Sequence, residues 1–156
     1  MALSADGLQA ATLNQLQHNI LTVYENGTPR TVQLPGARVD AALNMYKLAY
    51  SPNGRRLAVI SPGSTVAVFD VKRWEVLAEL SGHESFMDLA WIDDATLASC
   101  AMNRSIQLWS LPDGQERRVL EVNNIVVGLQ TRPSIKPCSR GRTANSSPTR
   151  LRIGES

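Results

Sequence analysis

The sequence has few of the features that mark a secreted, membrane-bound or disulfide-stabilised protein. It contains two cysteines in 156 residues, and Cys100 and Cys138 lie in such different surroundings that we expect a reduced core residue and a tail residue. No apolar run approaches the roughly 20 residues that a bilayer span needs. Residues 1–19 lack the basic and apolar regions of a secretory signal. We therefore expect an intracellular protein, cytoplasmic or nuclear, with no membrane partner.

The sequence also lacks the motifs of common catalytic and cofactor sites. It has neither a Gly-x-Ser-x-Gly elbow nor a phosphate-binding Gly-x-x-x-x-Gly-Lys-Ser/Thr loop. His83 is one of two histidines and has no Cys or His neighbours at the spacing of a zinc site. Asp88, Asp93 and Asp94 suggest a carboxylate site at first sight, but acids near a turn are more typical of a solvated face. We expect no enzyme activity, no cofactor and no bound metal.

Charge is distributed unevenly along the chain. Residues 1–130 carry ten Lys and Arg against thirteen Asp and Glu, a net charge of −3. Residues 131–156 carry six Lys and Arg against Glu155 alone, a net charge of +5. The basic pI therefore comes from the C-terminal region and not from a basic face on the rest of the chain.

What the sequence does contain is a repeated pattern of short apolar runs between turn signals. Period-two runs of this kind predict β-strands, and their recurrence at about 40 residues predicts a repeat architecture. The equivalent triplets are Ala2-Leu3-Ser4, Ala49-Tyr50-Ser51 and Ala90-Trp91-Ile92, and Val23-Tyr24-Glu25, Val68-Phe69-Asp70 and Leu108-Trp109-Ser110. The first set is spaced by 47 and 41 residues and the second by 45 and 40.

These offsets divide the chain into repeat units and a tail. Three units are predicted at about 1–36, 42–81 and 82–122, with the stub of a fourth at 125–130. Residues 131–156 are rich in Pro, Ser, Arg and Gly, show no periodicity, and are predicted to be a disordered basic tail.

The third unit resembles a WD40 repeat of a β-propeller. It has Gly82-His83 before its first strand, the small-residue strand Leu97-Ala98-Ser99-Cys100, and Leu108-Trp109-Ser110 at the end of its third strand. The resemblance covers residues 1–130 and implies an all-β fold. The expected architecture is an incomplete WD40-type propeller made of consecutive four-stranded antiparallel blades.

The resemblance also implies a hydrogen-bond network inside the third blade. In this family a His, a strand Ser or Thr, a turn Asp and the Trp often share such a network. The matching residues are His83, Ser99, Asn103 and Trp109. Asn103 stands where the family prefers Asp, and a neutral amide cannot charge-assist the imidazole, so a weaker network is expected. Ser110 stands where the second letter of the Trp-Asp pair belongs.

WD40-like propellers usually hold other proteins on their loops and faces, so the resemblance implies a non-catalytic scaffold in a multi-subunit complex. The alternative is an RNA- or chromatin-associated factor that uses the basic tail. Three blades leave two sheet faces unburied, which favours marginal stability or self-association. Because the strand pattern stops abruptly after Gln130, a truncated or alternatively spliced form of a larger propeller is a further hypothesis.

Overall fold

The described part of the chain is built from β-strands alone. A computed structural model describes residues 1–13, 20–35, 47–61, 65–82, 86–123, 126–132 and 150–155. These ranges form strands and turns, and they contain no helix that could cross a membrane. The predicted all-β fold class is confirmed.

Within the described ranges, the strands form three four-stranded antiparallel sheets and one two-stranded sheet, each in chain order. Sheet 1 contains β1 (Ala2–Leu3), β2 (Gln9–Leu13), β3 (Ile20–Glu25) and β4 (Thr28–Gln33). Sheet 2 contains β5 (Leu48–Tyr50), β6 (Arg56–Ser61), β7 (Thr65–Asp70) and β8 (Glu75–Ser81). Sheet 3 contains β9 (Phe86–Trp91), β10 (Thr96–Ala101), β11 (Ser105–Ser110) and β12 (Gln115–Glu121). Sheet 4 contains β13 (Val126–Arg132) and β14 (Arg150–Glu155).

The strand register places the predicted repeat triplets at equivalent positions. The aromatic residue of each third strand pairs with one residue of the second strand: Tyr24 with Ala10, Phe69 with Leu57, and Trp109 with Leu97. The three full sheets therefore share one register. An Ala follows the paired residue of the second strand in each of them, at positions 11, 58 and 98.

Sheets 2 and 3 each use their two faces to pack against two neighbours. Successive side chains of a strand point to opposite faces, so neighbouring residues belong to different clusters. Leu57 and Phe69 join the cluster between sheets 1 and 2, whereas Ala58 and Val68 join the cluster between sheets 2 and 3. All four are buried. Runs such as Leu57–Ile60 are continuously apolar because both faces of the sheet are covered.

Sheet 4 extends beyond the predicted stub and into the predicted tail. The sequence predicts a stub at 125–130, but β13 continues to Arg132 and pairs antiparallel with β14. Six residues assigned to the disordered tail, 150–155, are therefore strand, and 133–149 and Ser156 lie outside the described residues. Within the tail, Arg alternates with Leu and Ile over residues 150–153, a strand-like pattern that is too short to stand out from the surrounding composition. This segment pairs with β13, whose Leu129 is buried against sheet 3.

The expected role of Cys100 matches its position in the structure. Cys100 is fully buried in β10, within the cluster that also contains Ala98, Ile106 and Leu129. Burial is the first cause that raises the pKa of its thiol to about 11, and the Asp88 charge adds to the effect. Cys138 lies outside the described residues.

Candidate functional site

The structure brings together two of the four residues predicted to form a network in the third blade. The indole Nε1 of Trp109 donates to Ser99 Oγ at 2.8 Å, and both residues are buried. Asn103 is exposed in the next turn, where its Oδ1 accepts from Ser105 Oγ at 2.6 Å. His83 lies outside the described residues. The observed hydrogen bond between Trp109 and Ser99 joins β11 to β10 within sheet 3. A single network of all four residues stays a prediction.

Asp88 differs from the solvated acid expected at that position. It is 9% exposed, and its Oδ2 accepts the backbone N–H of Leu129 at 2.9 Å. Its Oδ1 accepts the Leu89 N–H at 2.9 Å and lies 3.5 Å from Lys47 Nζ. A carboxylate that accepts backbone N–H groups forms a strong, charge-assisted contact. Asp88 therefore fastens the first strand of sheet 4 to sheet 3.

The other two acids of that group serve the turn between β9 and β10. Asp93 Oδ1 accepts the N–H of Ala95 at 2.8 Å, which is a local turn cap. Asp94 Oδ1 accepts the N–H of Asn53 at 2.8 Å, in the corresponding turn of sheet 2. Asp88 lies toward the other end of β9, so the three acids do not form one carboxylate site.

The hydrogen bonds between sheets join residues about one repeat apart. The Asn53–Asp94 and Asp88–Leu129 pairs are each separated by 41 residues. Trp91 Nε1 donates to the carbonyl of Ala49 at 2.9 Å, a separation of 42 residues. Contacts at this spacing connect successive sheets, and they fix each of these sheets against the next.

A hydrogen bond of Trp74 connects sheets 1 and 2. Its Nε1 donates to Glu25 Oε1 at 2.7 Å, and the residue is 7% exposed although its φ of 57° is left-handed. In sheet 3 the corresponding turn position is Gly114, with φ of 65°. A bulky residue in this region carries backbone strain. The burial and the hydrogen bond of the indole offset that strain.

An open groove lies beside the first strands of the sheets. It encloses about 670 Å³ and is lined by Leu3, Tyr50, Trp91 and Leu129 from β1, β5, β9 and β13, with Asp94 among the turn residues that line it. Leu3 is 60% exposed, so part of the apolar lining faces solvent. An apolar concave surface with a few polar groups is typical of a ligand-binding site.

Tyr50, which lines the groove, also packs against the cluster between sheets 1 and 2, and its phenol is neutral. Burial raises its pKa to about 12, and the charges of Glu25 and Asp6 contribute in the same direction. Among the described residues, its hydroxyl is buried without a hydrogen-bond partner. At neutral pH the group is therefore protonated.

The sequence is similar to known repeat proteins over part of its length, although no family model matches it. Telomerase protein component 1 of Mus musculus is 29% identical over 111 residues, which cover 68% of this chain and 4% of that protein. The Rattus norvegicus protein of the same name is 28% identical over 108 residues. The WD repeat-containing protein VIP3 of Arabidopsis thaliana is 41% identical over 49 residues, which cover 31% of this chain and 15% of that protein.

A solved structure of U3-55K has a similar fold. Its TM-score is 0.68 at 16% identity, and the match covers 82% of this chain and 40% of that chain. The chain thus spans less than half the length of each of these proteins. The stacked sheets, their shared register and these similarities show that the described residues have the fold of WD40-repeat β-propellers, as three four-stranded blades and two strands of a fourth.

Proposed function

We propose that the chain is a non-catalytic scaffold that binds other proteins within a multi-subunit complex. The observation that carries this proposal is the groove beside β1, β5, β9 and β13. Its walls belong to different sheets, which hydrogen bonds at the repeat spacing hold in fixed relative positions. A rigid apolar surface loses little conformational entropy when a partner binds. The name of telomerase protein component 1 describes one component of an assembly, which supports the same kind of role here.

We further propose that the chain is a truncated or splice-variant portion of a larger propeller. The face of sheet 1 that carries Tyr24 corresponds to the faces on which Phe69 and Trp109 are buried in sheets 2 and 3. Tyr24 is 38% exposed, whereas Phe69 is 1% and Trp109 is 3% exposed. Sheet 1 therefore has a face of the kind that a further blade covers. An exon that runs continuously through residue 131 in every transcript would contradict a splice origin.

Site-specific photo-crosslinking tests the scaffold function. A photoreactive residue replaces Leu3 in the groove in one variant and Val119 on the outer strand β12 in the control, since both side chains are exposed. We expect discrete protein adducts, identified by mass spectrometry, at position 3 and not at position 119. Equal labelling at both positions would contradict a binding role for the groove.

A salt titration with RNA and DNA separates this function from the basic-tail alternative. If the tail binds phosphates, affinity falls steeply as salt rises and disappears when residues 131–156 are removed. We expect no such binding above the background of a tail-free chain. Binding that depends on the tail would instead support the nucleic-acid alternative.

A further inference from the structure

The chain contains two Asn-Gly turns that differ in how firmly the fold holds the asparagine. Asn26-Gly27 joins β3 to β4, and Asn53-Gly54 lies in the turn between β5 and β6. An asparagine that precedes a glycine is chemically labile, because glycine has no side chain to shield its backbone nitrogen. The dipeptide is the same in both turns, so a difference in reactivity between them has to come from the structure.

The reaction in question is deamidation, which takes place within the dipeptide. At Asn26-Gly27, the Gly27 backbone nitrogen attacks Cγ of Asn26, and the new C–N bond closes a succinimide ring. The side-chain nitrogen leaves as ammonia, which carries away the proton of the Gly27 amide. Water then breaks one of the two C–N bonds of the ring and gives aspartate or isoaspartate. Nothing is oxidised or reduced. The attack needs a side chain that can rotate and a backbone amide that can lose its proton.

Hydrogen bonds hold both reacting groups of the Asn53-Gly54 turn. Asn53 Oδ1 accepts the hydroxyl of Ser51 and the backbone N–H of Arg55, each at 2.9 Å. The Gly54 N–H, which is the attacking group, donates to the Ser51 carbonyl at 2.8 Å. The Asn53 N–H donates to Asp94 Oδ1 at 2.8 Å. Ring closure at Asn53 therefore has to break several hydrogen bonds that stabilise the folded turn.

The equivalent turn of sheet 1 shows the same restraint. Asp6 Oδ1 accepts the Ser4 hydroxyl at 2.5 Å and the Leu8 N–H at 3.0 Å. The Gly7 N–H donates to the Ser4 carbonyl at 3.0 Å. These contacts match those of Asn53-Gly54 one for one. The restraint thus belongs to the turn between the first two strands of a sheet, whether its third residue is Asp or Asn.

The Asn26-Gly27 turn lacks these restraints. Among the described residues, no hydrogen bond holds the Asn26 carboxamide or the Gly27 N–H. Both residues are exposed, and no atom lies within 4 Å of the place where a Cβ of Gly27 would be. The contact that the turn does make is a backbone one, from the Asn26 N–H to the Leu8 carbonyl at 3.3 Å. The two reacting groups can therefore approach each other without the loss of a hydrogen bond.

We propose that Asn26 is a site of spontaneous deamidation in the folded chain, whereas the hydrogen bonds of its turn protect Asn53. The product adds a carboxylate to a polar groove lined by turns of sheets 1 and 2. Isoaspartate also directs the backbone through the side-chain carbon, which lengthens the turn next to Glu25, the acceptor of the Trp74 indole. The inference is independent of the proposed scaffold function.

The test compares the two asparagines within one molecule. The full chain is incubated in mildly alkaline buffer, and peptide mapping by mass spectrometry follows the replacement of the amide NH2 by OH at each position. In the folded chain Asn26 should react at least about ten-fold faster than Asn53, a difference of about 1.4 kcal/mol in activation free energy. In guanidinium chloride the two rates should agree within about two-fold, because unfolding removes the hydrogen bonds of both turns.

Matched variants test the cause of the difference. Ser51→Ala removes the hydroxyl that holds Asn53 Oδ1, so the rate at Asn53 should rise about five-fold, while the rate at Asn26 stays within about two-fold. Asn26→Gln should abolish the fast reaction, because a longer side chain has to close a larger ring. If Ser51→Ala is unfolded at the incubation temperature, Asp94→Ala replaces it, since that variant removes the acceptor of the Asn53 N–H.

Three results would each overturn the proposal. The first is an equal rate at Asn26 and Asn53 in the folded chain. The second is an Asn26 that stays intact in the folded chain but reacts in guanidinium chloride, which would show that its turn is protective. The third is a ratio of the two rates that unfolding leaves unchanged, which would assign the difference to the neighbouring sequence. None of these readouts involves a partner, so they leave the test of the scaffold function unaffected.

Discussion

Replacement of Asp88 by Ala should loosen the attachment of sheet 4 to sheet 3. The carboxylate accepts two backbone N–H groups at 2.9 Å, and the residue is 9% exposed. Hydrogen bonds to a charged group contribute about 1.5–3 kcal/mol each, and a buried donor left without its acceptor adds a desolvation cost. Lys47 contributes less than about 1 kcal/mol, because its side chain is 48% exposed. We expect Asp88→Ala to lower the free energy of unfolding by about 3 kcal/mol.

Urea unfolding followed by tryptophan fluorescence measures this loss, since linear extrapolation gives the free energy in water. Glu79→Ala is the matched control: it removes the same charge from an exposed position of β8 and should change stability by less than about 0.5 kcal/mol. If the two variants unfold at the same urea concentration, Asp88 does not hold β13, and the derivation from its hydrogen bonds is refuted.

Three further predictions follow from single contacts. Ser99→Ala should cost about 1–2 kcal/mol in urea unfolding, because it leaves the buried Trp109 N–H without its 2.8 Å acceptor; an unchanged midpoint would contradict this. Gly114→Ala should lower the free energy of unfolding more than Gly54→Ala does. Both glycines have positive φ, but a Cβ at 114 meets carbon atoms at 3.3 Å, whereas at 54 its nearest neighbour is at 3.8 Å. Equal losses would rule out the crowding. In a Cys138→Ser chain at pH 9, Cys100 should react with iodoacetamide only slowly until the chain is unfolded, because it is buried and its pKa is about 11. Because the folded state raises this pKa from 9.0 to about 11, it favours the neutral thiol more strongly than the unfolded state does. The neutral thiol therefore contributes to the free energy of unfolding below pH 9, and this contribution is lost between about pH 9 and 11. Fast alkylation of the folded chain would contradict its burial.

The strands and turns were predictable because their signals are local. Asn26-Gly27 adopts φ values of 50° and 81°, as expected for the hairpin that this dipeptide favours. The alternation around Phe69 and the spacing to Trp109 predicted equivalent strands, which the shared register confirms. The role of Asp88 was not predictable, because its partner Leu129 lies 41 residues away and nothing near Asp88 in the sequence indicates burial.

The sequence by itself determined the repeat, the order of the strands and the all-β class, since period-two alternation and turn residues act over a few neighbouring positions. The tertiary structure alone decided which face of each sheet is covered, which acid is buried, and that Arg150–Glu155 pairs with Val126–Arg132. These outcomes depend on contacts between residues one repeat or more apart. The free energy of such contacts comes from excluding water between two surfaces, and neither surface alone specifies its partner.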